Sequence, residues 1–211
     1  FLGNVSHDMR TPMNGVIGYT ELALKSGDPQ EMREYLEKIR LSGETLLMLI
    51  NDTLDLSRME TGRISMHAEP LRLSSLVQSD ITVLEPTLQA RNIHLTLDAD
   101  SSETPVLSDA LCLKKIAINI LSNAVKFTPE GGSIQVVCRQ HPLADGTIDA
   151  VLTVQDSGCG ISKSFLPRVF EPFAQERLAG SAGIGGYGLG LAIVKRLVEK
   201  LGGTVKVDSE L

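Results

Sequence analysis

Two short stretches decide how this sequence is interpreted. Residues 5–12 read Val-Ser-His-Asp-Met-Arg-Thr-Pro, and residues 156–160 read Asp-Ser-Gly-Cys-Gly. The first places a histidine beside an acidic residue, with a proline five residues after the histidine. The second places an acidic residue at the start of a turn spaced by glycines. The periodicity is helical around the first stretch and mixed around the second, so we expect two structurally different parts.

The composition is that of a globular chain of one or two domains. Hydrophobic residues make up 42% of the 211 residues, and the net charge of −6 argues against nucleic acid as the main partner. The three cysteines lie far apart in no metal-ligand spacing, which favours a reduced cytosolic setting. The sequence has no run of about 18 apolar residues to span a bilayer and no visible signal peptide. Both ends look cut, so we expect a fragment of a longer protein.

The first part is predicted to be a helical hairpin. Residues 1–26 read as a helix that is interrupted or kinked near Pro12, with Gly27 placed where a helix commonly ends. A second helix begins at once, with Asp28 as its N-cap and Glu31 in a capping-box-like position. It runs from Pro29 to about Met59.

An apolar seam follows the second helix at the period of a coiled coil. Its positions alternate in steps of three and four: Leu36, Ile39, Gly43, Leu46, Ile50, Thr53 and Ser57. Two antiparallel helices cannot bury two broad apolar faces alone, which favours a dimer that forms a four-helix bundle. The alternative is a hairpin that packs on the C-terminal part of its own chain.

The second part alternates helices and strands, which is typical of an α/β sandwich with helices on one face of a mixed sheet. Residues 62–73 read as a linker, and residues 176–188 read as a glycine-rich mobile lid. The predicted helices cover 74–91, 109–126 and 188–201, and the predicted strands cover 93–97, 133–138, 149–155 and 204–207.

Three residues on the first helix form a candidate reactive group. His7 offers a nucleophilic imidazole nitrogen at neutral pH, and the adjacent Asp8 can orient the ring or act as a general base. Thr11 lies four residues after His7, on the same helix face, where its hydroxyl can position a water. The alternative is a solvent-facing His-Asp pair on an ordinary helix.

A second candidate group lies on the helix predicted at 109–126. Asn119, Asn123 and Lys126 project from one face, because they stand at positions i, i+4 and i+7. Amide oxygens suit Mg²⁺, and a lysine ammonium suits phosphate oxygens. The alternative is the plain polar face of an amphipathic helix.

Two glycine clusters complete the candidate site. Asp156 can accept a hydrogen bond from the exocyclic amino group of adenine, and the glycines after it let the backbone approach a flat base. The second cluster, Gly186–Leu191, opens a predicted helix, where free backbone N–H groups favour phosphate. The first cluster alone could equally be a loop with a helix-capping Asp, and the second alone is a weak signal.

Taken together, these motifs resemble those of the sensor histidine kinases of two-component systems. The string around His7 is similar to the H box of that family. The other similarities, in chain order, are Asn119–Thr128 to the N box, Asp156–Gly160 to the G1 box, Phe165–Phe173 to the F box and Gly186–Leu191 to the G2 box. The amino-acid sequence of residues 6–18 is most similar to that of hybrid kinases, which carry a receiver domain further along the chain.

The resemblance implies an α+β chain of two domains. Residues 1–66 would be a dimerisation and histidine phosphotransfer hairpin, and residues 67–211 a C-terminally truncated ATP-binding domain of the Bergerat type, an α/β sandwich. The implied cofactors are ATP and Mg²⁺. The implied partners are a second copy of the chain and a response-regulator or receiver domain. The fragment would be the cytoplasmic portion of a membrane-bound sensor, in contact with the membrane only through regions absent from this sequence.

The resemblance also assigns roles by position. His7, Asp8 and Thr11 become the catalytic group, Asn123 the Mg²⁺ ligand, and Asp156 the residue that recognises adenine. The other positions carried over as nucleotide-binding are Asn119, Lys126, Phe127, Gly158, Gly160, Arg177, Gly186, Gly188, Leu189 and Gly190.

Three features depart from the family pattern. Asp8 replaces the commoner glutamate, and Tyr187 stands where a small hydroxyl residue is usual. The sequence also stops before the final glycine motif and strand expected after Ser209, which would leave an open sheet edge.

The leading function is ATP-dependent phosphorylation of His7, followed by transfer of the phosphate to a regulator aspartate. One alternative is a member that acts mainly as a phosphatase or scaffold. The other is an ATPase clamp like Hsp90, which leaves His7 and its hairpin unexplained.

Overall fold

The computed structural model describes residues 2–60, 66–100, 104–176 and 186–211. The chain divides into two compact units, Phe1–Ile64 and Ser65–Leu211.

The first unit is a hairpin of two long helices, α1 (Leu2–Lys25) and α2 (Pro29–Glu60), which pack on each other. Asp28 caps α2 as predicted, because its Oδ1 accepts the backbone N–H of Gln30 at 2.8 Å. Glu31 does not complete a capping box. Its Oε2 instead accepts the hydroxyl of Ser26 at 2.9 Å.

Of the predicted interruption or kink of α1 near Pro12, the interruption is wrong, since the helix continues through this residue. Proline lacks an N–H and therefore removes one hydrogen bond, the one that residue 12 would donate to the carbonyl of Asp8. The intact turns on either side, together with the burial of Pro12 in the hairpin, keep the segment helical.

The hairpin leaves much of its apolar surface exposed. Leu49 and Leu56 are buried. The exposed large apolar side chains of the two helices are Met13, Ile17, Leu22, Leu24, Met32, Leu36, Leu41, Leu47, Met48, Ile50 and Leu54. Burial of such side chains would contribute roughly 1.5–3 kcal/mol each, so a single hairpin forgoes a large stabilisation.

The second unit contains two sheets among its described residues. A two-stranded sheet pairs β1 (Ala68–Leu71) with β3 (Val106–Asp109) in antiparallel fashion. A three-stranded sheet has the order β2–β4–β5, in which β2 (His94–Ala99) runs parallel to β4 (Ser133–Pro142). β4 is in turn antiparallel to β5 (Ile148–Asp156). The larger sheet is therefore mixed, as the sequence predicted.

The helices of this unit are α3 (Leu73–Ala90), α4 (Ala110–Phe127) and α5 (Gly190–Lys200), with a short 3₁₀ turn at Leu166–Arg168.

The core of this unit lies between one face of the larger sheet and the helices α3 and α4. Along β4, buried Ile134 and Val136 alternate with exposed Gln135, as expected for a strand with one covered face. The helices contribute buried Val77 and Leu121 to the same cluster. The sandwich predicted from the sequence is confirmed.

Several element predictions need correction. β1 lies within the segment 62–73 that was predicted to be a linker, and β3 was not predicted. The strand predicted at 204–207 is absent, because these residues have no hydrogen-bonded strand neighbour in the part of the chain that the structure describes. The last helix begins at Gly190 rather than Gly188. Most of the predicted lid lies outside the described residues.

Among the helices of the described segments, none has the length and apolar character needed to cross a membrane.

Candidate functional site

His7 lies near the start of α1 with its side chain 78% exposed. Its Nδ1 is 3.2 Å from Oδ1 of Asp8, whose side chain is only 21% exposed. The neighbouring carboxylate thus holds the ring through Nδ1. Nε2 is then the ring nitrogen available to a reacting group, an arrangement that suits a nucleophile oriented by an acid.

The turn after His7 combines an exposed hydroxyl with a gap in the helix hydrogen bonding. Thr11 is exposed, and Pro12, which follows it, is buried. Because Pro12 donates no hydrogen bond to the carbonyl of Asp8, the backbone beside the histidine is held less tightly than in an uninterrupted helix.

In the second unit, Asp109 fixes the start of α4. Its carboxylate accepts the backbone N–H groups of His67 at 2.9 Å and of Cys112 at 2.8 Å. The bond from His67 is the larger cause, and the two together hold the pKa of this carboxyl below its usual range. The helix that carries the polar candidates is therefore capped by a buried, ionised side chain.

Asn119 and Asn123 lie against the first residue of α5. The side-chain N–H of Asn119 donates to the carbonyl of Lys115 at 2.7 Å, so its Oδ1 is directed away from that carbonyl. A Cβ built at Gly190 would lie 2.7 Å from this oxygen and 3.8 Å from Nδ2 of Asn123. A larger residue at this position would require the Asn119 side chain to move. Both amides are half-buried on one face of α4, as the spacing predicted.

Lys126 lies one turn further along α4. Its ammonium is 4.7 Å from the centre of the Phe127 ring and approaches Gly186 so closely that a side chain there would collide with it. Burial lowers the pKa of Lys126. A partly desolvated ammonium next to a glycine backbone is a suitable partner for a phosphate group.

The turn after β5 meets the end of the same helix. Oδ1 of Asp156 accepts the N–H of Gly158 at 2.8 Å, and the Asp156 side chain is exposed. A Cβ at Gly158 would lie 2.9 Å from the carbonyl oxygen of Phe127. Gly160 has a φ of +72° and packs against the backbone of Glu210.

The second glycine cluster is anchored through Gly188 and Leu189. Gly188 has a φ of +66° and lies against Phe173 and Ala174, and its carbonyl accepts the N–H of Phe173 at 2.9 Å. Leu189 is 2% exposed, so its side chain belongs to the core and only its backbone can reach a ligand. Arg177 lies outside the described residues.

The structure thus brings most of the candidates in the second unit together around the C-terminal half of α4. The group comprises Asn119, Asn123, Lys126, Phe127, Asp156, Gly158, Gly186 and Gly190. Within the segments that the structure describes, no three His, Cys, Asp or Glu side chains cluster to hold a metal. A divalent cation here would rely on amide oxygens and on the ligand's own oxygens, which is typical of Mg²⁺.

Sequence reasoning missed Arg91, whose guanidinium contacts the end of α4. It bonds the carbonyl oxygens of Val125 and Thr128. A cation near a helix C-terminus is a recognised signal, but Arg91 follows a different helix, 34 residues away in sequence from Val125. Only the tertiary structure joins them.

Two family descriptions match this chain. Residues 1–62 match the His Kinase A (phospho-acceptor) domain. Residues 108–211 match the family described as histidine kinase-, DNA gyrase B- and HSP90-like ATPase.

Curated relatives are similar over nearly the whole chain. Sensor histidine kinase GacS of Pseudomonas protegens is 37% identical over 210 residues, which is 99% of this chain and 23% of that protein. Signal transduction histidine-protein kinase BarA of Escherichia coli is 36% identical over 212 residues. The match covers 100% of this chain and 23% of the length of BarA. The chain therefore spans about a quarter of the length of these relatives.

Solved structures show the same fold. Full-length ShkA in complex with AMPPNP is 32% identical, with a TM-score of 0.69, and the match covers 95% of this chain and 41% of that one. Histidine kinase ThkA in complex with the response regulator protein TrrA has a TM-score of 0.72 at 21% identity, over 96% of this chain and 55% of that one. Since the phospho-acceptor and ATPase descriptions together cover most of the chain, and the relatives named above are histidine kinases, this protein belongs to the sensor histidine kinase family.

Proposed function

We propose that this chain transfers the γ-phosphoryl group of ATP to His7 and then passes it to an aspartate of a response-regulator or receiver domain. The observation that carries the proposal is His7 itself, an exposed imidazole held through Nδ1 by Asp8. That histidine lies in the segment that matches the phospho-acceptor domain, and the same chain carries an ATPase-family domain.

The residues around α4 take the nucleotide roles in this proposal. Asp156 recognises adenine through its exposed carboxylate, and Lys126 binds phosphate oxygens. Gly186 and Gly190 keep space open beside Lys126 and Asn119, as the contacts of a built Cβ indicate. Phe127, Gly158, Gly160, Gly188 and Leu189 shape the backbone around the nucleotide. Arg177 is carried over as a further nucleotide-binding residue from the sequence alone.

The donor set suits Mg²⁺. Asn123, with Asn119 beside it, offers half-buried amide oxygens, the hard and neutral donors that this ion accepts together with phosphate oxygens. When bound, the ion would neutralise charge on the transferring phosphate. The chain's own part is to bind and orient the nucleotide and to keep the His7 ring in the tautomer that leaves Nε2 unprotonated.

The assembly we propose is a homodimer through the hairpin, residues 1–66, with residues 67–211 as the ATP-binding domain. The exposed apolar side chains of α1 and α2 support a four-helix bundle. Its further partner is a response regulator or, if the whole protein is a hybrid kinase, a receiver domain of its own. One similar protein is named hybrid signal transduction histidine kinase A. We place the chain in the cytoplasmic portion of a membrane-bound sensor.

Label transfer tests the proposal. The chain is incubated with γ-labelled ATP and Mg²⁺, and the labelled protein is treated with acid or alkali and then mapped. We expect alkali-stable, acid-labile label on the peptide containing His7 and no label on His7→Gln, with ATP affinity near normal. His141→Gln is the matched control, because His141 is exposed at the far end of β4. Label that persists on His7→Gln would contradict the assignment.

We propose a second activity, dephosphorylation of the regulator, on a separate observation. The hydroxyl of Thr11 is exposed one helical turn after His7, where it can hold a water that attacks a phosphoaspartate. The activity is tested with purified phosphorylated regulator and the chain in the presence of ADP. Release of phosphate that does not depend on His7 would support it.

A further inference from the structure

Arg91 connects two helices of the second unit at their C-terminal ends. It is the C-cap residue of α3, and its backbone N–H donates to the carbonyl of Thr87 at 3.1 Å. Its guanidinium crosses to α4. There Nη1 bonds the carbonyl of Val125 at 2.5 Å and approaches that of Lys126 at 3.4 Å, while Nη2 bonds the carbonyl of Thr128 at 2.7 Å.

These carbonyls need such a partner because the last turn of a helix has no intrahelical donors for them. The carbonyl of Ala124 in this last turn accepts two hydrogen bonds from Thr128, one from its backbone N–H at 3.0 Å and one from its hydroxyl at 2.6 Å. Arg91 supplies donors for the carbonyls of Val125 and Thr128, and its positive charge lies at the negative end of the helix dipole. Its own carbonyl also accepts the N–H of Gly131 at 3.1 Å, which ties down the loop beyond the helix.

The backbone that Arg91 holds belongs to the candidate nucleotide site. Lys126 lies between the two strongest bonds of the guanidinium, so both its position and the direction of its side chain follow from the last turn of α4. Its ammonium reaches Gly186 and the Phe127 ring. Within the described segments, Arg91 approaches this group through the backbone carbonyl of Lys126.

We propose that Arg91 is a positioning residue for nucleotide phosphates. It fixes the last turn of α4, so that the Lys126 ammonium is placed to bind them. This inference rests on the proposed function and adds a residue to it. Arginine suits the task better than lysine, because its planar fork reaches several carbonyls at once, whereas a lysine ammonium acts as a single point charge.

The test compares Arg91→Met and Arg91→Lys with the wild-type chain of 211 residues. We measure ATP affinity, the rate of His7 labelling at saturating ATP, and the melting temperature. We expect Arg91→Met to weaken ATP binding by about tenfold or more at a temperature at which the variant is folded, and Arg91→Lys to recover part of the loss.

Arg139→Met is the matched control. Arg139 also bonds backbone carbonyls, that of Asp98 on the neighbouring strand β2 and that of Cys138. It should leave ATP affinity unchanged. A lower melting temperature for Arg91→Met with unchanged ATP affinity would mean that Arg91 is only structural and would overturn the proposal. If Arg91→Met does not fold, Arg91→Lys serves for the same comparison.

A double-mutant cycle with Lys126→Ala tests whether Arg91 affects ATP affinity through Lys126. If Arg91 acts by placing Lys126, its replacement should cost little further affinity once Lys126 is gone. Fully additive losses would contradict the proposal. A wild-type chain that fails to bind ATP would count against the proposed function itself, whereas normal binding by both wild type and Arg91→Met counts only against this inference.

Discussion

The backbone of Gly158 lies close to that of Phe127, although the two residues belong to different elements. A Cβ at Gly158 would lie 2.9 Å from the carbonyl oxygen of Phe127. The turn that carries Asp156 is therefore pressed against the last turn of α4, which carries Lys126. The proposed adenine-recognising carboxylate and the proposed phosphate-binding ammonium are therefore carried by adjoining backbone segments.

Replacement of Gly158 by Ala should therefore weaken ATP binding. The added methyl group would also meet the carboxylate of Asp156, so the turn has to move away from α4. We expect a loss of affinity of roughly tenfold, measured by titration with a fluorescent ATP analogue. Gly27→Ala is the control, because a Cβ at Gly27 meets nothing within 4 Å. Equal affinity in Gly158→Ala and wild type would show that this contact does not shape the site.

Asp156→Ala should weaken ATP binding strongly, and wild type should reject GTP. A hydrogen bond to a charged acceptor contributes about 1.5–3 kcal/mol, which corresponds to roughly tenfold to more than a hundredfold in affinity. Guanine presents an acceptor where adenine presents a donor, and a carboxylate repels it. Calorimetric titration with both nucleotides is the measurement, and equal affinities for ATP and GTP would remove Asp156 from this role.

Thr11→Ala should retain most of the kinase activity while losing phosphatase activity toward the cognate regulator. The hydroxyl is exposed beside His7, where it can hold a water without taking part in phosphorylation of the ring. Thr11→Ser, which keeps the hydroxyl, should behave like wild type. Circular dichroism should first establish that both variants are folded. Equal loss of the two activities in a folded Thr11→Ala protein would indicate a structural role instead.

Asp80→Asn should stabilise the protein at neutral pH. Asp80 is completely buried on α3, and neither carboxylate oxygen has a hydrogen-bond partner within the described segments. The ammonium of Lys114 is 4.0 Å away, too far for a hydrogen bond. Burial raises the pKa of Asp80, and Lys114 opposes the rise only in part.

The sign of the pH dependence follows from the raised pKa. The unfolded chain loses this proton near pH ~3.9, whereas the folded chain retains it to higher pH, so the contribution of Asp80 to stability is lost as pH rises through the folded pKa. The advantage of Asp80→Asn should therefore be absent below pH ~4 and grow as pH rises through the folded pKa. Urea unfolding at several pH values measures it, and a difference independent of pH would show that Asp80 does not titrate in this way.

The hairpin alone should form a dimer, whereas the ATP-binding domain alone should be a monomer. We expect residues 1–61 alone to dimerise. In a single copy of the hairpin, Leu24 is 82% exposed and Leu47 is 61% exposed. Residues 65–211, the whole second compact unit with β1 and His67, should be monomeric and bind ATP. Light scattering over a range of concentrations is the measurement, and Leu47→Lys should weaken the hairpin dimer. A monomeric hairpin or a tightly dimeric ATP-binding domain would contradict this architecture.

Sequence reasoning succeeded where the signal was local. The spacing of Asn119, Asn123 and Lys126 predicts a shared face, because helix geometry fixes the direction of each side chain within one element. The cap at Asp28 follows from an equally short pattern, and the sandwich architecture follows from the order of helices and strands along the chain.

The predictions failed where partners are distant in the chain. β1 is only four residues long, contains a proline and shows no alternation, and its partner β3 lies some 40 residues away. Residues 204–207 alternate like a strand, but alternation cannot supply a neighbour to pair with. The hydrogen bonds of Arg91 join the ends of α3 and α4, which lie too far apart in sequence for a local pattern to connect them.

The parallel pairing of β2 with β4 has a consequence for how the nucleotide site opens. Two adjacent parallel strands must be joined by a crossover, and here the crossover is the segment that contains α4. Since α4 also packs in the core, it cannot leave its place without exposing the sheet. Local fraying at this site is therefore coupled to global unfolding of the unit. Amide hydrogens in the middle of α4 should exchange with solvent as slowly as those of β4, while those of the peripheral β1–β3 pair exchange earlier.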